Sequence, residues 1–379
     1  MRIVSMEPTP SPYSLKVNVD EVLEDGKSAE YKATDDLSNA PTYIQKLFEI
    51  EGIKGLFRVV DFITIERDPR TDWEEIIPKV IDTIGAEREV EDLFSQAVHT
   101  HQDDAYEGVR VLVQMIRNIP TQVKLQSGDI EKRFALPERM MEIAMKAATF
   151  SEDYLGEREW VEQSPRYGDI DEIGERIVEE LSATYSDERL EQLLELAEKN
   201  RTEEKEIPRK KVTPDMLDLP NWRDRFALLA QMPEPTEADY ELLDKALGDE
   251  NSSVRRLATA YLGMIESKDT LPYLYKALKD RSVNVRRTAG DCLSDLGYKE
   301  AIPEMIKTLK DRSRIVRWRG AMFLYEIGDE SAIPALQEAL EDPEFEVRMQ
   351  AKMALARIES GEEARGSIWH QMERAVKED

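Results

Sequence analysis

Apolar positions in the last third of the chain recur on two scales. Within residues 240–363 they follow helical spacing, and the whole pattern then repeats every 31 residues over the blocks 240–270, 271–301, 302–332 and 333–363. Leu247, Leu278, Leu309 and Leu340 share one column, as do Val254, Val285, Val316 and Val347. Leu262/Leu293/Leu324/Leu355 and Ile265/Leu296/Ile327/Ile358 form two more, and Pro272, Pro303 and Pro334 open the last three blocks. Two polar columns accompany them, Asp249/Asp280/Asp311/Asp342 and Arg255/Arg286/Arg317/Arg348. Each block reads as a helical hairpin, with Pro in the first turn, where its missing N–H is harmless, and the Asp closing one helix or capping the next. One such hairpin cannot bury both faces, whereas stacked copies can, so the pattern predicts a right-handed α-solenoid. Residues 222–232 fit as the second helix of a preceding half-repeat, with Arg223 and Ala227 in their columns.

Ahead of the repeats the period changes. Residues 14–20 alternate, 29–34 are short and β-prone, 41–50 are helical, 56–66 strand-like, and 71–85 form an amphipathic helix capped by Thr71 or Asp72. Together these predict a small α+β head. Between head and repeats, 109–117 and 121–126 read as strands, 137–149 as a Met-rich helix, and 170–184 and 188–199 as acidic helices, followed by a charged linker at 201–211. The predicted fold is therefore multi-domain: an α+β head over 1–88, a mixed α/β middle region over 89–211, and an all-α repeat solenoid over 212–379.

The repeated blocks resemble HEAT-like repeats of the phycobilisome-lyase type, in which the recurring Asp and Arg form a structural ladder between units. The ladder positions would here be Asp249, Arg255, Asp280, Arg286, Asp311, Arg317, Asp342 and Arg348. The run Met6-Glu7-Pro8-Thr9-Pro10-Ser11-Pro12 and the segment Glu51-Gly52-Ile53-Lys54-Gly55-Leu56-Phe57 resemble the Nfu/NifU N-terminal domain. The order of Nfu-like head, middle region and HEAT-like tail resembles the conserved virulence factor C family. That resemblance implies a virulence or regulatory role without supplying a biochemical activity.

Composition narrows the chemistry. The 379 residues carry a net charge of −27. Residues 1–239 hold 30 basic and 53 acidic side chains, whereas residues 240–360 hold 19 and 21. A near-neutral repeat region thus follows an acidic front, and the overall field repels nucleic acid and anionic lipid. With one cysteine, Cys292, the chain cannot build the two-cysteine site by which full Nfu proteins hold a bridging iron–sulfur cluster. Cys292 abuts the core column at Leu293 and reads as a small buried side chain. His99 and His101 read as part of a solvated loop, and no repeat contains a His. No Gly-rich phosphate loop, Rossmann fingerprint or Ser-His-Asp arrangement appears. The N-terminal residues lack the apolar run of a secretory signal, and no stretch has a membrane-span composition. The expectation is a cytoplasmic, non-enzymatic protein with no cofactor and no metal.

One column beyond the ladder carries the candidate site. Arg256, Arg287, Trp318 and Met349 align, and the same helical face continues to Met322, Tyr325 and Met353. This face lies opposite the core stripe and is expected to line an exposed concave surface. Its aromatics and methionines, with Arg256, Arg287 and Arg319 nearby, have the character of a protein- or peptide-binding patch. Self-capping by the C-terminal stripe Ile368, Trp369, Met372 and Val376 is the competing explanation. The reading is a protein–protein adaptor. The alternatives are an accessory factor for iron–sulfur assembly acting through the head, where Pro8, Pro10 and Pro12 either stiffen a turn or contact a partner, and a DNA-binding solenoid.

Overall fold

A computed structural model describes residues 1–9, 11, 13–23, 28–59, 61–68, 70–86, 108–127, 130–151, 153, 156–199 and 209–361. His99, His101, Pro10, Pro12 and the C-terminal stripe from Ile368 to Val376 lie outside the described residues.

The head contains β1 (Ile3–Pro8), β2 (Ser14–Val19), β3 (Ser28–Lys32), α1 (Thr42–Phe48), β4 (Ile53–Val59), β5 (Phe62–Arg67) and α2 (Trp73–Ile84). Its antiparallel sheet has the order β1-β2-β5-β4-β3. Alternation along β2 turns Leu15, Val17 and Val19 inward, and the same period along β5 turns Ile63, Ile65 and Arg67 inward. α2 buries Trp73, Ile76, Ile77, Val80 and Ile84 at helical spacing. Asp72 stands at its N-cap without a side-chain hydrogen bond, so the expected polar cap is not formed there. Gly52, at φ +95°, lies so close to Thr71 that an added Cβ would meet the Thr71 Cβ at 2.5 Å, which fixes glycine at this turn.

The middle region contains β6 (Val109–Ile116), β7 (Ile119–Ser127), β8 (Ile130–Ala135), α3 (Glu138–Ala148), β9 (Arg158–Arg166), α4 (Ile170–Thr184) and α5 (Asp187–Glu198). Its sheet is antiparallel in the order β8-β7-β6-β9. Arg117 and Asn118, at φ 47° and 65°, make the two-residue turn between β6 and β7. Arg117 is held in that conformation by Glu157, at 2.6 and 3.0 Å, and by the Ala197 carbonyl at 2.8 Å. The helices are capped by Asp169 and Ser186, whose side chains accept from backbone N–H groups in the first turns of α4 and α5.

The repeats comprise α6 (Trp222–Ala230), α7 (Tyr240–Leu247), α8 (Ser252–Met264), α9 (Leu271–Ala277), α10 (Val283–Leu296), α11 (Ile302–Thr308), α12 (Arg314–Ile327), α13 (Ile333–Ala339) and α14 (Phe345–Glu359). Pro272, Pro303 and Pro334 occupy the first turns of α9, α11 and α13. The column aspartates take part in both turn and ladder. The Oδ1 of Asp249, Asp280, Asp311 and Asp342 accepts the N–H two residues on, at 2.7–2.9 Å. Arg255 forks onto Asp280 at 2.7 and 2.9 Å, and Arg317 onto Asp342 at 2.6 and 3.0 Å. Each of these arginines also donates to the carbonyl of the aspartate six residues before it. The rung onto Asp249 comes from Arg225, at 2.6 and 2.9 Å, rather than from Arg223, which pairs with Glu179. The half-repeat register inferred from Arg223 is corrected accordingly.

Packing groups these elements into two compact units. One joins the described residues of Met1–Glu107 with those of Lys299–Asp379, and the other holds those of Gly108–Tyr298. Head and last two repeats belong to the first unit, and middle region and earlier repeat helices to the second.

Candidate functional site

The face carrying the candidate residues is covered in both units. In the first, Met349 and Met353 of α14 belong to the same hydrophobic cluster as the head's Leu15, Ile65, Trp73 and Ile77. Tyr325 and Phe345 pack partly buried against that cluster. Trp318 and Met322 retain 3% and 1% of their exposure. The expectation of an open concave patch is therefore corrected: Trp318 and Met322 are buried, and Met349 and Met353 lie in an apolar cluster shared with the head. Self-capping by the C-terminal stripe is not needed to account for Met349 and Met353.

An ionic contact sits at the edge of this interior. Arg67, the last inward residue of β5, lies between the rings of Tyr13 (4.9 Å) and Trp73 (5.6 Å). Its guanidinium donates to the Thr71 carbonyl at 2.6 Å and to Glu346 Oε1 at 2.8 Å. The two side chains are 2% and 7% exposed. Burial raises the Glu346 carboxyl above the usual glutamate range; Arg67 opposes this without cancelling it, and Asp72 and Glu344 add to the rise. Beside it, Arg348 donates to Glu74 in the first turn of α2 at 2.7 Å.

The second unit covers its repeat face with polar groups. Glu180 of α4 is paired with Arg166 of β9 at 3.3 Å and with Arg256 of α8 at 3.9 Å. Burial pushes the Glu180 carboxyl up, but Arg256 and Arg166 outweigh it and hold the group below its ordinary value. Burial first, and Arg166 second, bring the Arg256 guanidinium down to about 10. Tyr167 and Asn284 exchange two hydrogen bonds, at 2.8 and 2.9 Å, and Arg287 lies 5.4 Å from the Tyr167 ring. Arg287 also pairs with Asp291. In the first unit Arg319 pairs with Glu326 of its own helix at 3.6 Å. The face arginines are thus matched to carboxylates and largely buried, which removes the basic, open surface that the DNA-binding alternative requires.

Cys292 is buried, its Sγ 3.6 Å from the Thr259 carbonyl, and burial drives its thiol far above the ordinary range. A Cβ on Gly263 would meet the Cys292 Sγ at 2.3 Å, so the thiol fills the close approach of α8 and α10. Among the described residues no group of three or more His, Cys, Asp or Glu could hold a metal ion. No described helix is long and apolar enough to cross a membrane.

The sequence reading missed the residues that meet across these contacts: Arg67, Glu74, Arg166, Tyr167 and Glu180, and Asn284 and Glu346 on the repeats. Arg67 carried a readable signal, because period-2 alternation after Ile63 and Ile65 turns it inward. Ser253, Asn284, Ile315 and Glu346 also share a column of the 31-residue repeat. Ser253 is buried, Asn284 binds Tyr167 and Glu346 binds Arg67.

An Nfu-like α+β head joined through a second sheet region to HEAT-type helical hairpins defines the class. Family models agree: "Scaffold protein Nfu/NifU N terminal" matches residues 4–89, "Virulence factor" matches 114–194, and "HEAT repeats" matches 238–319 and 302–371. The chain is 52% identical to the uncharacterized protein YpgR of Bacillus subtilis (strain 168), over 100% of this chain and 99% of that protein. It is 41% identical to conserved virulence factor C of Staphylococcus saprophyticus, over 98% of each chain. The crystal structure of protein SAV1430 from Staphylococcus aureus matches at 32% identity over 22% of this chain and 98% of its own, with a TM-score of 0.21. The chain belongs to the conserved virulence factor C family.

Proposed function

We propose that the chain is a non-catalytic interaction adaptor whose HEAT-type helices hold protein surfaces. The observation that supports this most strongly is the repeat face itself. The face holding Tyr325, Met349 and Met353 packs against an α+β domain in one unit, and the face holding Arg256 and Arg287 against another in the second. The same scaffold thus accepts an apolar and an ionic partner by varying a few columns, as repeat proteins do when they bind other proteins. HEAT-type repeats support a capacity for protein contacts in general; the adaptor role is inferred from this use of the face.

Cross-linking of the tagged full chain in cell lysate, followed by purification, tests the reading. Recovery of a specific partner in stoichiometric amount is expected. Recovery of nothing above a bead control, or substrate turnover that persists through repurification, overturns it.

The Nfu/NifU match over residues 4–89 favours a second reading, in which the head meets iron–sulfur assembly components without carrying a cluster. Thiolates hold such clusters and the chain has one cysteine, so cargo would stay on the partner. Assembly proteins among the cross-linked partners would support this reading. Stoichiometric iron in the isolated chain would contradict it.

A further inference from the structure

We propose that the head is a releasable occupant of the last repeat, so that α14, with Tyr325 of α12, forms a docking surface whose resident ligand is the chain's own Nfu-like domain, keyed by Arg67 in a slot at Glu346. The inference deepens the adaptor reading and rests on it for its use, though its test needs no partner.

Each arginine of this contact also has carbonyl partners on its own side. On the head side, Arg67 donates to the Asp68 and Thr71 carbonyls and lies against Tyr13 and Trp73, all within the head. On the repeat side, Arg348 donates to the Asp342 and Pro343 carbonyls, as the ladder requires, and only its remaining nitrogen reaches Glu74. Separation therefore strands neither guanidinium, and Glu346 returns to water, the environment its burial-raised carboxyl favours.

The slot is specific to the last repeat. Its column holds Ser253, Asn284 and Ile315 in the other blocks, so the 31-residue pattern does not demand an acid there. An acid set among Phe345, Met349 and Met353 is costly unless a cation meets it, and Arg67 supplies that cation from 279 residues away. Acid and apolar rim together recognise one chemistry, a guanidinium flanked by aromatic rings.

The test is hydrogen exchange on the full-length chain carrying Glu346→Arg, which sets two guanidinium groups against each other. The amides of α14 and of the first turns of α2 are expected to exchange at least tenfold faster than in wild type, while β2, β5 and α12 keep their protection. Binding of 8-anilinonaphthalene-1-sulfonate should rise in parallel as Met349 and Met353 emerge. Unchanged exchange in α14 and α2 would overturn the proposal. Joint loss of protection in β2 and β5 would also overturn it, since head and repeats would then be one cooperative core. Should the reversed-charge variant not fold, Glu346→Gln combined with Glu74→Gln removes both ionic contacts without touching the ladder and provides the same reading with a smaller shift in the same amides.

Discussion

The two compact units solve one problem with opposite chemistry. Each lays an α+β domain on second helices of a HEAT-type array, at the same columns of the repeat. In the unit built from the middle region, one buried carboxylate, Glu180, is shared by two guanidinium groups, and its pKa is lowered. In the unit built from the head, one buried carboxylate, Glu346, faces one guanidinium across an apolar floor, and its pKa is raised. At Glu180, two arginines and a Ser253 hydrogen bond outweigh burial; at Glu346, a single arginine, with Asp72 and Glu344 nearby, does not. The repeat scaffold therefore supplies geometry, while the two non-ladder columns determine whether its contact is ionic or apolar.

The largest expected effect breaks the ionic side. Glu180→Leu removes the carboxylate shared by Arg166 and Arg256, leaving two largely buried cations without it. Urea unfolding should show a loss of about 3–5 kcal/mol. On the apolar side, Met353→Ala opens a cavity between α14 and the head, and should cost about 2–3 kcal/mol in the same assay. A smaller change sharpens the comparison by testing what the units share. Arg255→Lys keeps the charge but loses the fork onto Asp280 and should cost about 1 kcal/mol.

The smallest effect is one of pH, and its direction differs between the units. The Glu180 value is depressed in the folded state, so its stabilising contribution is present above the ordinary glutamate value, about 4.3, and is lost as pH falls through the depressed value. The Glu346 value is raised, so the folded state binds its proton first. That contribution is full below about 4.3 and is lost as pH rises through the raised value. Hydrogen exchange from pH 7 downward should therefore show α14 gaining protection relative to α4. Glu346→Gln should remove the α14 trend and leave α4 unchanged.

Much of the repeat architecture was legible because repetition multiplies weak signals. A single Asp or Arg says little, whereas the same spacing four times marks the turn and its ladder. The head was legible in part, from alternation along β2 and from the amphipathic α2; the strand-like run at 56–66 is two strands, β4 and β5, and β1 was not read. β8 and β9 were not, because they are edge strands with many exposed or half-buried positions, so no clear alternation marks them. The candidate face was identified as a helical stripe but assigned the wrong environment. Periodicity tells which side of α12 and α14 is apolar; it carries no information on what lies against that side. Met349 and Met353 would look the same in sequence on an open groove or beneath a domain. The missing clue was Glu346, an acid on that stripe whose partner lies 279 residues away.

The most direct test of an occupied repeat face is a double-mutant cycle on Arg67→Met and Glu346→Met, read by equilibrium unfolding. Loss of the Arg67 bonds inside the head is common to both Glu346 backgrounds and cancels in the cycle. A coupling of about 1–3 kcal/mol is the predicted result, because each single substitution leaves a buried charge without its counterpart. Additive effects, with a coupling of about zero, would contradict an Arg67–Glu346 contact and with it the covered face.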